Sequence, residues 1–311
     1  MSHRVPELEV RQTTSDDIDD IVALAQRSLG WDGDERDREY FRWKHHENPF
    51  GRSPGWAAFD RGRLVAFRTM LRWRFESAHR EVVTARAVDT ATDPEHQGRG
   101  LFRRLTMEAV GHLEGEGVAA IFNTPNEQSR PGYLKMGWSD LGRPTLLVQP
   151  SSPATLNRML HARVAAEKWS LPVDVGQSAA DVVDLPPVPA TFQRWVTKRS
   201  TEYLRWRYGF EPLHYRAIEV AGGACIFRVR RRGGLREVAL CEWLSDRADP
   251  LAIRRLVRAV GDYAVGIGLS IRNGLVPLPR QGPNMMWRPL ADRRAVALAD
   301  LHLSLGDLEL M

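Results

Sequence analysis

Cysteine is nearly absent from this 311-residue chain: only Cys225 and Cys241 occur, each inside an apolar run, with no CxxC pair and no histidine at metal-ligand spacing. That excludes a disulfide scaffold and a thiolate metal centre, and leaves two buried, reduced thiols as the expectation. No run of about 18 apolar residues exists to span a bilayer, and the opening residues lack the apolar stretch of a secretion signal. A cytoplasmic protein with no membrane partner is therefore expected. Long disordered or fibrous tracts are missing too, since 43% hydrophobic and 27% charged residues are the proportions of an ordinary globular protein.

The net charge of +5 comes from arginines scattered among acids. The densest run, Arg228 with Arg230, Arg231 and Arg232, sits beside a Gly233-Gly234 turn and has no interleaved aromatics. A solvated hairpin is expected there rather than a nucleic-acid surface, which needs stacking platforms among its cations.

The chain exceeds the usual size of one domain, so two are expected. Residues 14–29 place apolar side chains at helical spacing after the cap Ser15. Residues 56–60, 63–75 and 80–92 read as three antiparallel strands. A helix over 100–113, with Leu101, Leu105, Ala109 and Leu113 on one face, leads to a buried strand at 118–123. Strand, helix and strand in that order predict one parallel βαβ unit in a mostly antiparallel sheet. Pro131-Gly132 breaks the following segment, and a strand at 145–149 closes a first domain over 1–150. Residues 151–190 read as a helix over 153–169 and a linker, rich in proline at 185–189.

An internal echo marks the second domain, 191–311. Glu39-Tyr40-Phe41-Arg42-Trp43-Lys44 corresponds to Glu202-Tyr203-Leu204-Arg205-Trp206-Arg207. Strands at 215–220, 224–230 and 236–244, a helix over 250–265 and a strand at 269–272 continue the parallel. Between strand and helix, however, this copy carries Ser245-Asp246-Arg247-Ala248-Asp249-Pro250, with two acids and no glycine. Such a loop suits an anion poorly.

The first copy has Asp93-Pro94-Glu95-His96-Gln97-Gly98-Arg99-Gly100 at that place. Its glycines let backbone come close to a ligand, while the free N–H groups of the opening helix and the charges of Arg99, Arg103 and Arg104 favour an anion. Glu95 and His96 are read as exposed loop residues. Trp43, Trp73, Trp138, Trp206 and Trp243 are read as core or interface aromatics, with Trp73 or Trp138 open to a pocket role.

Gln97-Gly98-Arg99-Gly100-Leu101-Phe102 resembles the Q/R-x-x-G-x-G/A loop of the GNAT acyltransferases, and Asn126 to Trp138 resembles that superfamily's N-x-x-A-x-x-x-Y-x-x-x-G-F segment. Phe102 departs from the expected small residue. The resemblance implies an α/β protein of two tandem GNAT-like domains, each a mixed, mostly antiparallel sheet flanked by helices, the second without a cofactor site. It implies acetyl-CoA or another short acyl-CoA as co-substrate, a small-molecule amine as acceptor, and no metal.

Residue by residue, it places the pantetheine arm on Thr90, Ala91 and Thr92, and the pyrophosphate on Gln97, Gly98, Arg99, Gly100, Leu101, Phe102 and Arg103. It gives Asn126 a cofactor contact and sets Tyr133 at the sulfur as proton donor. Asp89, on a face of small residues, is the expected base, its pKa raised by desolvation. The second domain is expected to shape the acceptor site or a homodimer interface. A CoA-binding module of the same fold without turnover is the alternative, and a nucleic-acid-binding protein a more distant one.

Overall fold

The computed structural model describes residues 8–31, 33–78, 80–162, 164–182, 194–292, 294 and 296–309. The Pro-rich stretch at 185–189, expected as a linker, lies outside them. Strand β1 (Glu9–Gln12) leads to a capping box between Thr14 and Asp17, which opens the turn before helix α1 (Ile18–Leu29). Ile18, Ile21, Val22, Leu24 and Ala25 are its buried face, and Gly30 ends it at φ +68°. Helix α2 (Arg36–His46) and strands β2 (Gly55–Asp60), β3 (Arg63–Ser77) and β4 (Arg80–Thr92) follow, the strands close to their expected bounds.

Helix α3 (Leu101–Gly115) buries the expected Leu101, Leu105, Ala109 and Leu113, and β5 (Ala120–Asn123) returns parallel to β4. Pro131 opens a helix rather than breaking one: it lies in the first turn of α4 (Arg130–Lys135), where an N–H is not needed. Next come β6 (Ser139–Gly142), β7 (Leu146–Pro150) and α5 (Pro153–His161), which stops short of the expected end at 169. Short strands β8 (Gln177–Ser178) and β9 (Trp195–Thr197) precede α6 (Thr201–Tyr208). Strands β10 (Arg216–Val220), β11 (Gly223–Arg232) and β12 (Leu235–Leu244) and helix α7 (Pro250–Val260) continue the chain. β13 (Tyr263–Gly266), β14 (Val276–Leu278), β15 (Met285–Pro289), β16 (Leu301–His302) and α8 (Leu305–Leu308) complete it.

The helix expected over 250–265 ends five residues early because Gly261 leaves helical backbone at φ −137°. A Cβ there would meet Val238 Cγ2 at 2.3 Å, so any other residue would force Val238 to shift. The strand then falls at β13, and the stretch expected as strand at 269–272 overlaps a 3₁₀ turn at Ile271–Asn273.

Two compact units result. One comprises Met1–Phe75, Glu81–Asp140 and Met286–Val296, the other Glu76–Arg80, Leu141–Met285 and Ala297–Met311. The first unit's sheet runs β1-β2-β3-β4-β5-β15-β6, and the second's runs β14-β7-β13-β12-β11-β10-β8. Thus β7, expected to close the first domain, pairs in the second sheet with β13 and β14, while β15 pairs with β5. In each unit consecutive strands precede a helix and then a strand parallel to the last of them, β5 to β4 and β13 to β12. α3 packs Leu101, Leu105, Ala109 and Leu113 on one apolar core, and α7 packs Ile253, Leu256, Val257 and Val260 on the other.

The echo sequences form the corresponding helices α2 and α6, with Tyr40 and Trp43 buried in one and Tyr203 and Trp206 in the other. Their last positions, Lys44 and Arg207, are both 0% exposed, and each has a buried carboxylate partner, Asp89 and Glu309. Glu309 also takes Arg228 Nε at 3.0 Å and the Tyr215 hydroxyl at 2.6 Å. Burial alone would push its carboxyl up, but the charges of Arg228, Arg207 and Arg230 outweigh that and hold it well below the usual range. The arginine run is therefore only partly the solvated hairpin expected, because Arg228 turns in to Glu309 and Arg230 to Glu237. Cys225 and Cys241 are buried free thiols, pushed up by desolvation.

Replacing Glu309 by Ala leaves Arg207 and Arg228 buried without their counter-charge. The expected cost is about 3 kcal/mol or more, read as a lower urea midpoint at unchanged slope.

Candidate functional site

β4 and β5 part company inside the first unit's sheet. Their register pairs Thr84, Ala85 and Arg86 with Ala120, Ile121 and Phe122, after which β4 continues to Thr92 without β5. Asp89 sits in this stretch without β5 at φ +39°, a left-handed conformation that interrupts the strand's alternation. Thr69 Oγ1 braces the irregularity by donating to the carbonyls of Val88 (3.0 Å) and Asp89 (3.2 Å). Thr90, Ala91 and Thr92 beyond it remain strand beside β3, while on the β5 side they have no strand partner.

The glycine loop follows directly. Gly98 and Gly100 adopt φ +75° and +74°, and a Cβ on either would meet nothing within 4 Å. Their requirement is therefore conformational rather than one of crowding. Gly100 caps α3 without a side chain, and no acid lies in the helix's first turn. The first N–H groups of α3 and the positive end of its dipole consequently stay available to an anion. A cavity of about 460 Å³ opens here, lined by Thr90, Ala91, Thr92, Gln97, Gly98, Gly100, Leu101, Phe102 and Arg103 of the expected set, together with Ser28, Leu29, His96 and Gln128. Arg99 is exposed on the same loop but does not line it.

Phe102 turns from the loop toward α4. Its ring lies 5.3 Å from that of Tyr133, edge to face, and its Cε1 would be 3.1 Å from a Cβ on Gly132. Tyr133 is 3% exposed and also packs on Trp138 at 5.1 Å. Neither Tyr133 nor Asn126 lines the cavity. Asn126 Oδ1 accepts from Ser129 N and Oγ, both at 2.8 Å, and so shapes the turn into α4.

A residue not foreseen stands at the centre of this cluster. Arg68, on β3 and 1% exposed, donates through Nη2 to the Tyr133 oxygen, and its guanidinium lies over the rings of Tyr133 (5.4 Å) and Phe102 (5.7 Å). No carboxylate pairs with it among the described residues, and its Nε has no partner there. The available signal was a lone arginine inside the otherwise apolar run Leu64-Val65-Ala66-Phe67-Arg68.

Asp89 lies in different surroundings from those expected. Lys44 Nζ and His45 Nε2 each reach its Oδ2 at 2.7 Å, and Ser53 Oγ is 3.0 Å from the other nitrogen of His45. Burial pushes the carboxyl up, as anticipated, but the Lys44 charge and the His45 hydrogen bond prevail, so the expected rise becomes a fall far below the usual range. His45, pushed down by its own burial despite Asp89, stays neutral and donates from Nε2. His96 is also buried rather than exposed, with Nε2 3.0 Å from Asp60. It brings a nitrogen within 4.8 Å of oxygens from Asp93 and Glu95, a spacing a metal would accept. Asp93, however, is taken by Arg63 at 2.5 Å and caps Glu95 N at 3.1 Å, which gives the cluster an ion-pairing role. Trp73 is fully buried in the core.

Residues 9–140 match the family described as acetyltransferase (GNAT) domain. No curated protein matches the chain. Among solved structures, a probable N-acyltransferase from Enterococcus faecalis V583 is similar over 92% of this chain and 74% of its own, at 14% identity and a TM-score of 0.63. A GCN5-related N-acetyltransferase from Anabaena variabilis covers 91% of this chain and 73% of its own, at 12% identity and a TM-score of 0.60. A putative acetyltransferase from Pyrococcus horikoshii covers 97% and 95%, at 14% identity and a TM-score of 0.53. At such identities these structures establish the fold alone, and the family match places a GNAT acetyltransferase domain at residues 9–140.

Proposed function

We propose that the first unit is an acyl-CoA-dependent N-acyltransferase that moves the acetyl group of acetyl-CoA directly to an amine of a small molecule. The observation that carries this reading is the open N-terminus of α3 behind two left-handed glycines, facing a cavity shared with the end of β4 that runs on past β5. Backbone N–H groups over 98–103, with the charge of Arg99 and Arg103, would hold the pyrophosphate. Thr90, Ala91 and Thr92 would offer strand backbone to the pantetheine arm, and a free N–H there would meet the oxyanion.

In the reaction the amine nitrogen attacks the thioester carbonyl carbon, the carbon–sulfur bond breaks, and the thiolate takes a proton from Tyr133. Arg68 supports this assignment: a buried guanidinium without a carboxylate is costly unless its surroundings supply negative charge, and it points at the oxygen that would lose the proton. Asp89, ion-paired and weakly basic, serves better as the anchor of the β4 irregularity than as the base. The acceptor would then arrive neutral or release its proton to water. The second unit is read as a degenerate copy, and the protein as one without a membrane-crossing helix among its described residues.

One observation favours a second reading, a CoA-binding module without turnover. Tyr133 is buried, lies outside the cavity lining and already accepts from Arg68.

Calorimetric titration with acetyl-CoA tests the central reading. Binding is expected, weakened at least about tenfold in Gly100→Ala, where a Cβ must adopt φ +74°. No binding of any acyl-CoA would overturn it. In a free-thiol assay over an amine panel, Tyr133→Phe is expected to lower kcat about 100-fold at unchanged acetyl-CoA affinity. An unchanged rate removes Tyr133 as donor, and binding without turnover on any amine favours the second reading.

The Asp89 anchor also has a pH signature. Because the folded-state pKa of His45 is depressed, its contribution to stability is complete above the unfolded value near 6.5 and is lost as pH falls below it, by up to about 1.4 kcal/mol per pH unit. Urea unfolding at pH 7.5 and 5.5 should show that loss in the parent protein and a smaller one in His45→Gln.

A further inference from the structure

The second unit repeats the strand geometry by which the first forms its cavity. β12 and β13 pair in parallel from Glu237 with Tyr263 to Leu240 with Gly266, and β12 then runs on to Leu244 alone on that side. A cavity of about 730 Å³ lies between this free end and the residues after β13. That volume is in the range of small-molecule sites. Val196, Leu244, Ile267 and Leu269 give it apolar walls.

Its floor is engaged in hydrogen bonds, one guanidinium between two carboxylates. Glu242 accepts from Arg199 Nε, the Tyr208 hydroxyl and Ser304 Oγ, each at 2.9 Å, and Arg199 also reaches Asp307 at 3.1 Å. The rim is not. Arg247 and Arg272 are exposed lining residues whose guanidinium groups make no ion pair or hydrogen bond among the described residues. The stem of Arg247 is held against the turn at Gly222, with Cδ 3.3 Å from the place of a Cβ there. Three carboxylates share the lining: Glu242, taken by Arg199; Glu76, which has another partner; and Asp246, which opposes two unpaired guanidiniums alone.

A nucleotide diphosphate has no seat here. The loop from Ser245 to Asp249 lacks glycine, and Asp249 closes the N-terminus of α7 by accepting from Ala252 N at 3.0 Å. The cavity is present without a phosphate loop. We propose that it binds a small organic anion, a carboxylate or phosphomonoester with an aromatic or aliphatic body, whose charge meets the Arg247 and Arg272 forks and whose body lies on the apolar walls.

Calorimetric titration of the full chain with 3-phenylpropionate, phenyl phosphate and, as the cationic control, phenethylamine tests this. Saturable one-to-one binding of at least one anion is expected, the stronger one naming carboxylate or phosphate as the preferred head group. The Arg247→Gln/Arg272→Gln double variant should weaken it at least about tenfold, and Ala248→Phe, which fills the cavity from its lining, should abolish it. Acetyl-CoA titration is expected to be unchanged in both variants, so the outcome is separate from that of the donor site. Absence of binding by both anions at millimolar concentration, binding that survives both variants, or phenethylamine binding as tightly as the anions would overturn the proposal.

Discussion

The buried carboxylate of Asp89, held by Lys44 and His45, is the constraint on which the first unit's architecture turns. A non-glycine residue at φ +39° is strained, and such backbone persists only where its surroundings over-determine it. Here α2 supplies a cation and a neutral imidazole, β3 supplies the Thr69 hydroxyl, and together they fix the point at which β4 leaves its regular course. The stretch that lines the cavity begins at the next residue, and the glycine loop follows from there. A carboxylate so committed has little basicity to offer, which is why its position on a face of small residues misrepresents its chemistry.

The second unit makes the same use of a buried ion pair with other partners. Arg207, at the place of Lys44 in the echo, reaches Glu309 from the end of the chain rather than a residue of the neighbouring strand. Both sheets also let a strand outrun its parallel neighbour, so both leave a cavity beyond the last paired residues. They diverge at the helix that follows. α3 begins at a left-handed glycine with no side-chain cap, whereas α7 begins under the carboxylate of Asp249. One helix thus starts with its first N–H groups uncapped by a side chain, and the other spends one on its own acid.

Phe102 shows how a departure from a motif is absorbed. Its ring packs away from the loop and joins Gly132, Tyr133 and Arg68 in one aromatic cluster. That cluster connects the helix behind the loop to the tyrosine expected at the sulfur. It also depends on a strand residue, Arg68, to which neither motif points.

Local pattern determined the elements of this protein: alternation gave β2, β3 and β4, helical spacing gave α1 and the buried face of α3, and the Gly98 and Gly100 loop announced itself through residue types that only a left-handed turn before a helix needs. Those signals are carried by neighbours within a few residues, where spacing alone decides which side chains share a face. Tertiary structure alone decided the rest. β7 and β15 lie in sheets other than the ones their neighbours in sequence suggest, because strand pairing is a contact between distant segments. The low basicity of Asp89 and the placing of Arg68 on Tyr133 were likewise settled by residues 44 and 65 positions away, since a charge answers to whatever the fold brings beside it.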